Sequence, residues 1–218
     1  MRALILLLAL ASTAMAGEPD KRLHERCLYP TVLVWTSAAN GSGVIVRSVP
    51  EGERYRNTVL TVAHVASKGT ANVYLPRYVD WSNLERYDRF EAKVIRADPS
   101  HDISVLSFVS DAKLPTAEID PCVKFYIGNP IHRFGAGLSK APRLDAGEIS
   151  GMRSVIVMPS GVKIDGMILA SLLSSPGDSG GPVYEGYRLI GLCQSIEAGQ
   201  PHISYITPIR FFAEKDWR

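Results

Sequence analysis

Ser179 lies in the run Pro176-Gly177-Asp178-Ser179-Gly180-Gly181-Pro182-Val183, a hydroxyl among glycines and prolines just ahead of an apolar stretch. Glycines let a chain turn sharply, so backbone N–H groups and the hydroxyl can face one small volume. Attack on a carbonyl needs such a volume, because charge grows on the carbonyl oxygen and each fixed N–H donor there is worth about 3 to 4 kcal/mol. The natural donors are the amides of Gly177 and Ser179. A serine hydroxyl alone is a weak nucleophile, so a base must stand within hydrogen-bond reach, and an acceptor must hold that base in one tautomer. His64, in Thr61-Val62-Ala63-His64-Val65, ends an apolar run that anchors its backbone and presents its ring at a rim. Asp102 stands at the mouth of another, Ile103-Ser104-Val105-Leu106, while Asp98, before Pro99, reads as a turn former. Singly, His64 reads equally well as a core or surface histidine and Asp102 as a cap; the chemistry rests on the three together.

The elements that must position them are strands. Apolar and β-branched runs recur at Thr31–Trp35, Gly43–Arg47, Thr58–Val62, Asn72–Leu75, Phe90–Arg96 and Ile103–Phe108. After a break they resume at Lys124–Ile127, Ala146–Met152, Ser154–Met158, Met167–Leu172, Pro182–Tyr184, Arg188–Gln194 and His202–Ile206. Many short strands with almost no helical period argue an all-β sandwich or barrel. The only helical candidates are a turn near His64–Lys68 and the segment Ile209–Asp216 after Pro208. Ser110–Pro121, with two prolines and little periodicity, reads as a connection, so the expected organisation is a first unit over 17–109, a connection over 110–121 and a second unit over 122–218.

Taken together, His64, Asp102 and Ser179 in that order resemble the chymotrypsin-like (trypsin-like) serine peptidases. Thr-Val-Ala-His is similar to the family's Thr-Ala-Ala-His, Asp-Ile-Ser-Val-Leu to its Asp-Ile-Ala-Leu-Leu, and Gly-Asp-Ser-Gly-Gly-Pro is its serine motif unchanged. Gly41-Ser42-Gly43-Val44-Ile45 and Ile203-Ser204-Tyr205-Ile206-Thr207-Pro208-Ile209 resemble the bacterial branch that includes HtrA-type and glutamyl-specific enzymes. The resemblance implies two packed six-stranded antiparallel β-barrels, a short C-terminal helix, and the triad in the cleft between the barrels. It implies a serine endopeptidase working through an acyl-enzyme, with an oxyanion hole at Gly177 and Ser179 and no cofactor. It also implies a pocket for the P1 side chain built from Leu173, Ser174, Cys193, Gln194, Ser195 and Ile203. Leu173 offers no counter-charge to a cation, so the expected preference is small or medium and apolar. No Ile-Val-Gly-Gly N-terminus is visible, so activity without zymogen cleavage is expected, with Asp178 bonded internally. His132 and His202 read as surface or loop residues. The competing reading is a catalytically silent binding module on the same fold.

Met1-Arg2, the apolar run Ala3–Ala11 and Ala14-Met15-Ala16 read as a signal peptide over 1–16, cleaved near Ala16, and hence a secreted or periplasmic protein. That run is too short to span a bilayer, and no later stretch is long enough, so no stable membrane anchor is expected. With 24 Lys plus Arg against 22 Asp plus Glu, the net charge of +2 gives no broad field for a phosphate backbone, and a protein or peptide partner is expected instead of nucleic acid. The sequence runs about ten residues past the last expected strand, so no appended recognition domain is expected. Cys27, Cys122 and Cys193 fit no zinc spacing, so no metal is expected. In an oxidising compartment three pairings or three free thiols are open. The resemblance implies a Cys27–Cys122 tether, with Cys193 a buried apolar residue beside the cleft.

Overall fold

The computed structural model describes residues 20–80, 83–120, 122, 124–137, 141–157, 161–197, 200–213 and 215. The signal-peptide expectation falls outside them. Six antiparallel strands close a first barrel: β1 (Thr31–Trp35), β2 (Asn40–Glu51), β3 (Arg54–Thr61), β4 (Thr70–Tyr78), β5 (Leu84–Asp98) and β6 (Ile103–Ser110), in the order β1-β2-β3-β6-β5-β4. The period-2 pattern of strands explains its core. Val32, Val34, Ile45, Val59, Val73, Leu75, Leu106 and Phe108 point inward from successive strands and fill the barrel.

The connection contributes a two-residue strand, β7 (Glu118–Ile119), which pairs in parallel with Arg188 and Leu189. Beyond it come β8 (Pro130–Gly135), β9 (Arg143–Val157), β10 (Lys163–Ala170), β11 (Pro182–Glu185), β12 (Arg188–Glu197) and β13 (Gln200–Pro208). Their order is β11-β8-β9-β10-β13-β12, and a β11–β12 pairing closes this second barrel, so the fold is the all-β pair of six-stranded barrels that the resemblance implies. Ile131, Ile149, Ile168, Leu172, Val183, Ile190 and Ile206 fill it. A third cluster joins Val44, Leu60, Ile103 and Val105 of the first barrel to Phe134, Tyr184, Leu189 and Leu192 of the second. That cluster fixes the two barrels against each other, and with them any site built across the junction.

Several expectations are corrected. Lys124–Ile127 is not a strand; the strand is β8, which no apolar run announces because the partly buried His132 and the fully buried Arg133 are polar. His132 is stacked on Tyr184, ring centroids 5.5 Å apart, and burial lowers its pKa, so it is not a surface residue. The run Ala146–Met152 and the described part of the run Ser154–Met158 belong to one strand, β9, since Arg153 keeps its register against Met167 across the apparent break; Met158 lies outside the described residues. His64–Lys68 is a turn and not a helix. Of the expected C-terminal helix Ile209–Asp216, the described residues show a 3₁₀ turn at Ile209–Phe211, and an unforeseen helical turn spans Lys21–Leu28, with Asp20 as its cap. The Cys27–Cys122 bridge is not formed: all three thiols are free. Cys27 is fully buried against the inter-barrel cluster, which pushes its thiol up to about 12, while Cys122 is exposed on the connection.

Candidate active site

His64 follows β3 in a turn closed by the Val65 and Ala66 amides on the Val62 carbonyl. Its neighbours Val62, Ala63 and Val65 are buried while its own ring is half-exposed, so packing of the neighbours holds the ring at the surface of the junction. Asp102 ends the turn between β5 and β6. Asp98 builds that turn: burial would raise its carboxyl, but bonds from the Ser100 hydroxyl, from His101 and from the Ser100 amide hold it down at about 2. Asp102 itself is buried and takes φ +51°, the left-handed conformation that aspartate tolerates better than most side chains. One carboxylate oxygen accepts the His64 backbone N–H at 2.8 Å. The other accepts His64 Nδ1–H at 2.6 Å, which leaves Nε2 as the nitrogen able to take a proton.

Ser179 sits between Gly177 (φ +98°) and Gly180 (φ +84°), conformations that favour glycine. Its hydroxyl donates to the Gln194 carbonyl at 3.1 Å. The amides around it divide cleanly. Asp178 N–H donates to the Ser175 carbonyl, Gly180 N–H to Cys193 and Gly181 N–H to Asp178. The Gly177 and Ser179 amides make no such bond to another described residue, so these two are open to an acceptor in front of Ser179.

Asp178 turns the other way, into the second barrel. Its Oδ2 accepts from the Ser175 amide at 2.7 Å and from Arg143 Nη2 at 3.0 Å, and it forms an ion pair with Arg133 Nη2 at 3.1 Å. Asp145 pairs with both arginines, so two guanidiniums and two carboxylates balance in a largely buried network. Burial alone would depress the Arg133 guanidinium; Cys193, Asp178 and Asp145 outweigh it and raise its pKa. Gly137 makes room for the network, because a Cβ there would lie 2.5 Å from Arg143 Nη1 and 2.8 Å from Asp178 Oδ1.

The expected pocket residues separate into groups. Ser174 and Cys193 meet over Arg133: the Ser174 hydroxyl lies 2.6 Å from Arg133 Nη1, 2.6 Å from Ser204 Oγ and 3.5 Å from Cys193 Sγ. Leu173 is 56% exposed, so only its carbonyl, which accepts from Arg133 Nη2, joins them. Gln194 links Ser179 to the His64–Asp102 pair: its side-chain amide donates to Asp102 Oδ2 at 3.0 Å, and its carbonyl accepts from the Ser179 hydroxyl. Ser195 lies in β12 opposite Tyr205, and Ile203 is half-buried in β13. Sequence reasoning missed Arg133, Arg143, Asp145 and Ser204. Arg133 had a signal, since it shares a strand face with buried Ile131, where an unpaired cation is costly.

A buried carboxylate holding a histidine, beside a serine on a glycine turn with two open amides, on two β-barrels, defines a serine-peptidase-like site. The chain matches the trypsin-like peptidase domain over residues 41–192, more than half its length, and belongs to that family. Solved structures agree on the fold. The MamO protease domain from Magnetospirillum magneticum is 19% identical with a TM-score of 0.69, covering 84% of this chain and 94% of that one. The Rv3671c Ser343Ala mutant from M. tuberculosis H37Rv, in its inactive form, is 18% identical with a TM-score of 0.65, covering 88% and 86%. The Yersinia pestis serine endoprotease is 19% identical with a TM-score of 0.64, covering 87% of this chain and 62% of that one. Among the described residues no helix is long and apolar enough to cross a membrane, and no group of three His, Cys, Asp or Glu is placed to hold a metal.

Proposed function

We propose that this serine peptidase is a secreted endopeptidase that cleaves through an acyl-enzyme on Ser179. The observation that carries the reading is the His64–Asp102 pair, with both carboxylate oxygens engaged, beside two open amides flanking the Ser179 turn. On substrate binding the Ser179 hydroxyl turns from the Gln194 carbonyl to His64 Nε2 and attacks the peptide carbonyl as His64 takes its proton. The carbonyl oxygen, now anionic, sits against the Gly177 and Ser179 amides. His64 then gives the proton to the leaving amine, and water repeats the cycle to release the acyl group. Asp102 holds the imidazole in one tautomer and stabilises its cationic form.

Asp178 is held by Arg143 and Arg133 from within the chain, which supports activity without a freed N-terminus. Leu173 and Cys193 bring no charge to the expected P1 pocket, and the Arg133 guanidinium against Ser174 and Cys193 is neutralised by Asp145 and Asp178, which supports small or medium apolar P1 side chains. The apolar run ahead of Gly17 supports secretion. The test is a proteome-derived peptide library incubated with purified protein. Internal cleavage after such residues, abolished by Ser179→Ala and by His64→Ala, supports the reading; no cleavage by the folded wild type overturns it.

A further inference from the structure

The back of the oxyanion loop is held from the other barrel by one residue. Ser42, in β2, is fully buried, and each of its polar groups is bonded at the junction. Its N–H donates to the Ser179 carbonyl at 2.7 Å. Its hydroxyl donates to the Gly177 carbonyl at 2.8 Å and accepts from the Ala136 amide at 2.9 Å. Its carbonyl accepts from Thr61 Oγ1 at 2.7 Å, which stops Ser42 from turning. The approach is close enough to require glycine opposite, since a Cβ on Gly180 would lie 2.1 Å from the Ser42 carbonyl oxygen.

A trans peptide unit is planar, with its C=O and N–H pointing opposite ways, so fixing one end aims the other. Three consecutive units follow Gly177. Ser42 holds the first by the Gly177 carbonyl and the third by the Ser179 carbonyl. The middle unit is tied by its Asp178 carbonyl to the Gly181 amide, and its other end is the Ser179 N–H. Both neighbours of that unit therefore rest on Ser42, and Gly177, the second donor, adjoins the first held carbonyl.

We propose that Ser42 is a positioning residue for the oxyanion hole, fixing from the first barrel the direction in which the Gly177 and Ser179 amides point. This rests on the peptidase reading. Ser42→Ala keeps the N–H but loses the hydroxyl, leaving the Gly177 carbonyl and the Ala136 amide without their bond and the first peptide unit held at one end only, by the Asp178 amide on the Ser175 carbonyl. Displacing donors is milder than deleting one, which costs roughly 100- to 1,000-fold. The expected loss is about 10- to 100-fold in the chemical step, with little change in binding.

The experiment follows inactivation of the purified protein by a fluorophosphonate, whose adduct places a phosphoryl oxygen where the oxyanion would sit, and separates the inactivation rate constant kinact from the binding constant KI. Ser48→Ala is the comparator: it lies in the same strand and removes a buried hydroxyl that accepts the Leu114 amide within the first barrel. For Ser42→Ala we expect kinact to fall about 10- to 100-fold with KI unchanged, and Ser42→Cys, which keeps a weaker donor, to fall in between. Ser48→Ala should lose a comparable amount of thermal stability and keep its kinact. A Ser42→Ala kinact within twofold of wild type, a loss confined to KI, or an equal loss in Ser48→Ala overturns the proposal. A folded wild type that does not react at all overturns the peptidase reading, and this inference falls with it.

Discussion

Replacing Asp178 by asparagine removes one charge from the four-member network behind the nucleophile and leaves Arg133 and Arg143 facing Asp145 alone. Arg133 is fully buried, and breaking a buried ion pair by removing one partner costs about 3 to 5 kcal/mol. Arg143 is about a third exposed and Asp145 still holds Arg133, so the lower end, about 3 kcal/mol, is the better figure. For a chain of this size that lowers Tm by roughly 6 to 12 °C. Asparagine can still accept the Ser175 amide, so the backbone need not unravel. The residue sits between Gly177 and Ser179, however, and its relaxation moves both donors; a misplacement near 1 Å costs about 100-fold in rate. The assay is thermal unfolding beside fluorophosphonate labelling of the same preparation. A Tm within 2 °C of wild type and an unchanged labelling rate would refute the view that this network fixes the loop.

Gln194→Leu should lower kcat/KM by about 10- to 100-fold, since Asp102 loses a hydrogen bond to a charged group worth about 1.5 to 3 kcal/mol, while KM for a cleaved peptide stays near wild type. Among the thiols, Cys122 should react with a chromogenic disulfide at pH 8 within minutes, whereas Cys27, buried and held near 12, should react only on unfolding; rapid modification of two or more thiols in native protein contradicts this. Asp98, held at about 2 when folded, stabilises the fold above its unfolded value near 4 and loses that contribution as pH falls towards 2. Asp98→Asn should therefore be less stable than wild type at pH 6, with the gap narrowing below about pH 4 and closing towards pH 2, as followed by thermal unfolding across that range.

His64, Asp102 and Ser179 were legible as candidates because each carries a local signature: glycine around Ser179, an apolar run ending at His64, and a turn-forming Asp98 that left Asp102 for another role. The strands were legible wherever apolar residues alternate, as in β1 and β6. What escaped was polar and buried. Arg133 and His132 hid β8 because a hydrophobic pattern cannot foresee a cation neutralised by Asp145 and Asp178 on distant segments. Gln194 read as a pocket residue, since nothing local says that its amide reaches Asp102, 92 positions away in the chain. Ser42 drew notice only as part of a glycine-flanked pattern, and its bonds span the junction between barrels. The disulfide expectation failed for a related reason: spacing says how many residues separate Cys27 from Cys122, not that one is packed into the inter-barrel core while the other faces solvent.

The most direct test of the central claim is intact-mass analysis of purified protein after exposure to a fluorophosphonate, beside a Ser179→Ala control. The account predicts one adduct on the wild type, mapped to Ser179, and none on the control. No adduct on the folded wild type, or an adduct that persists in the control, would contradict it.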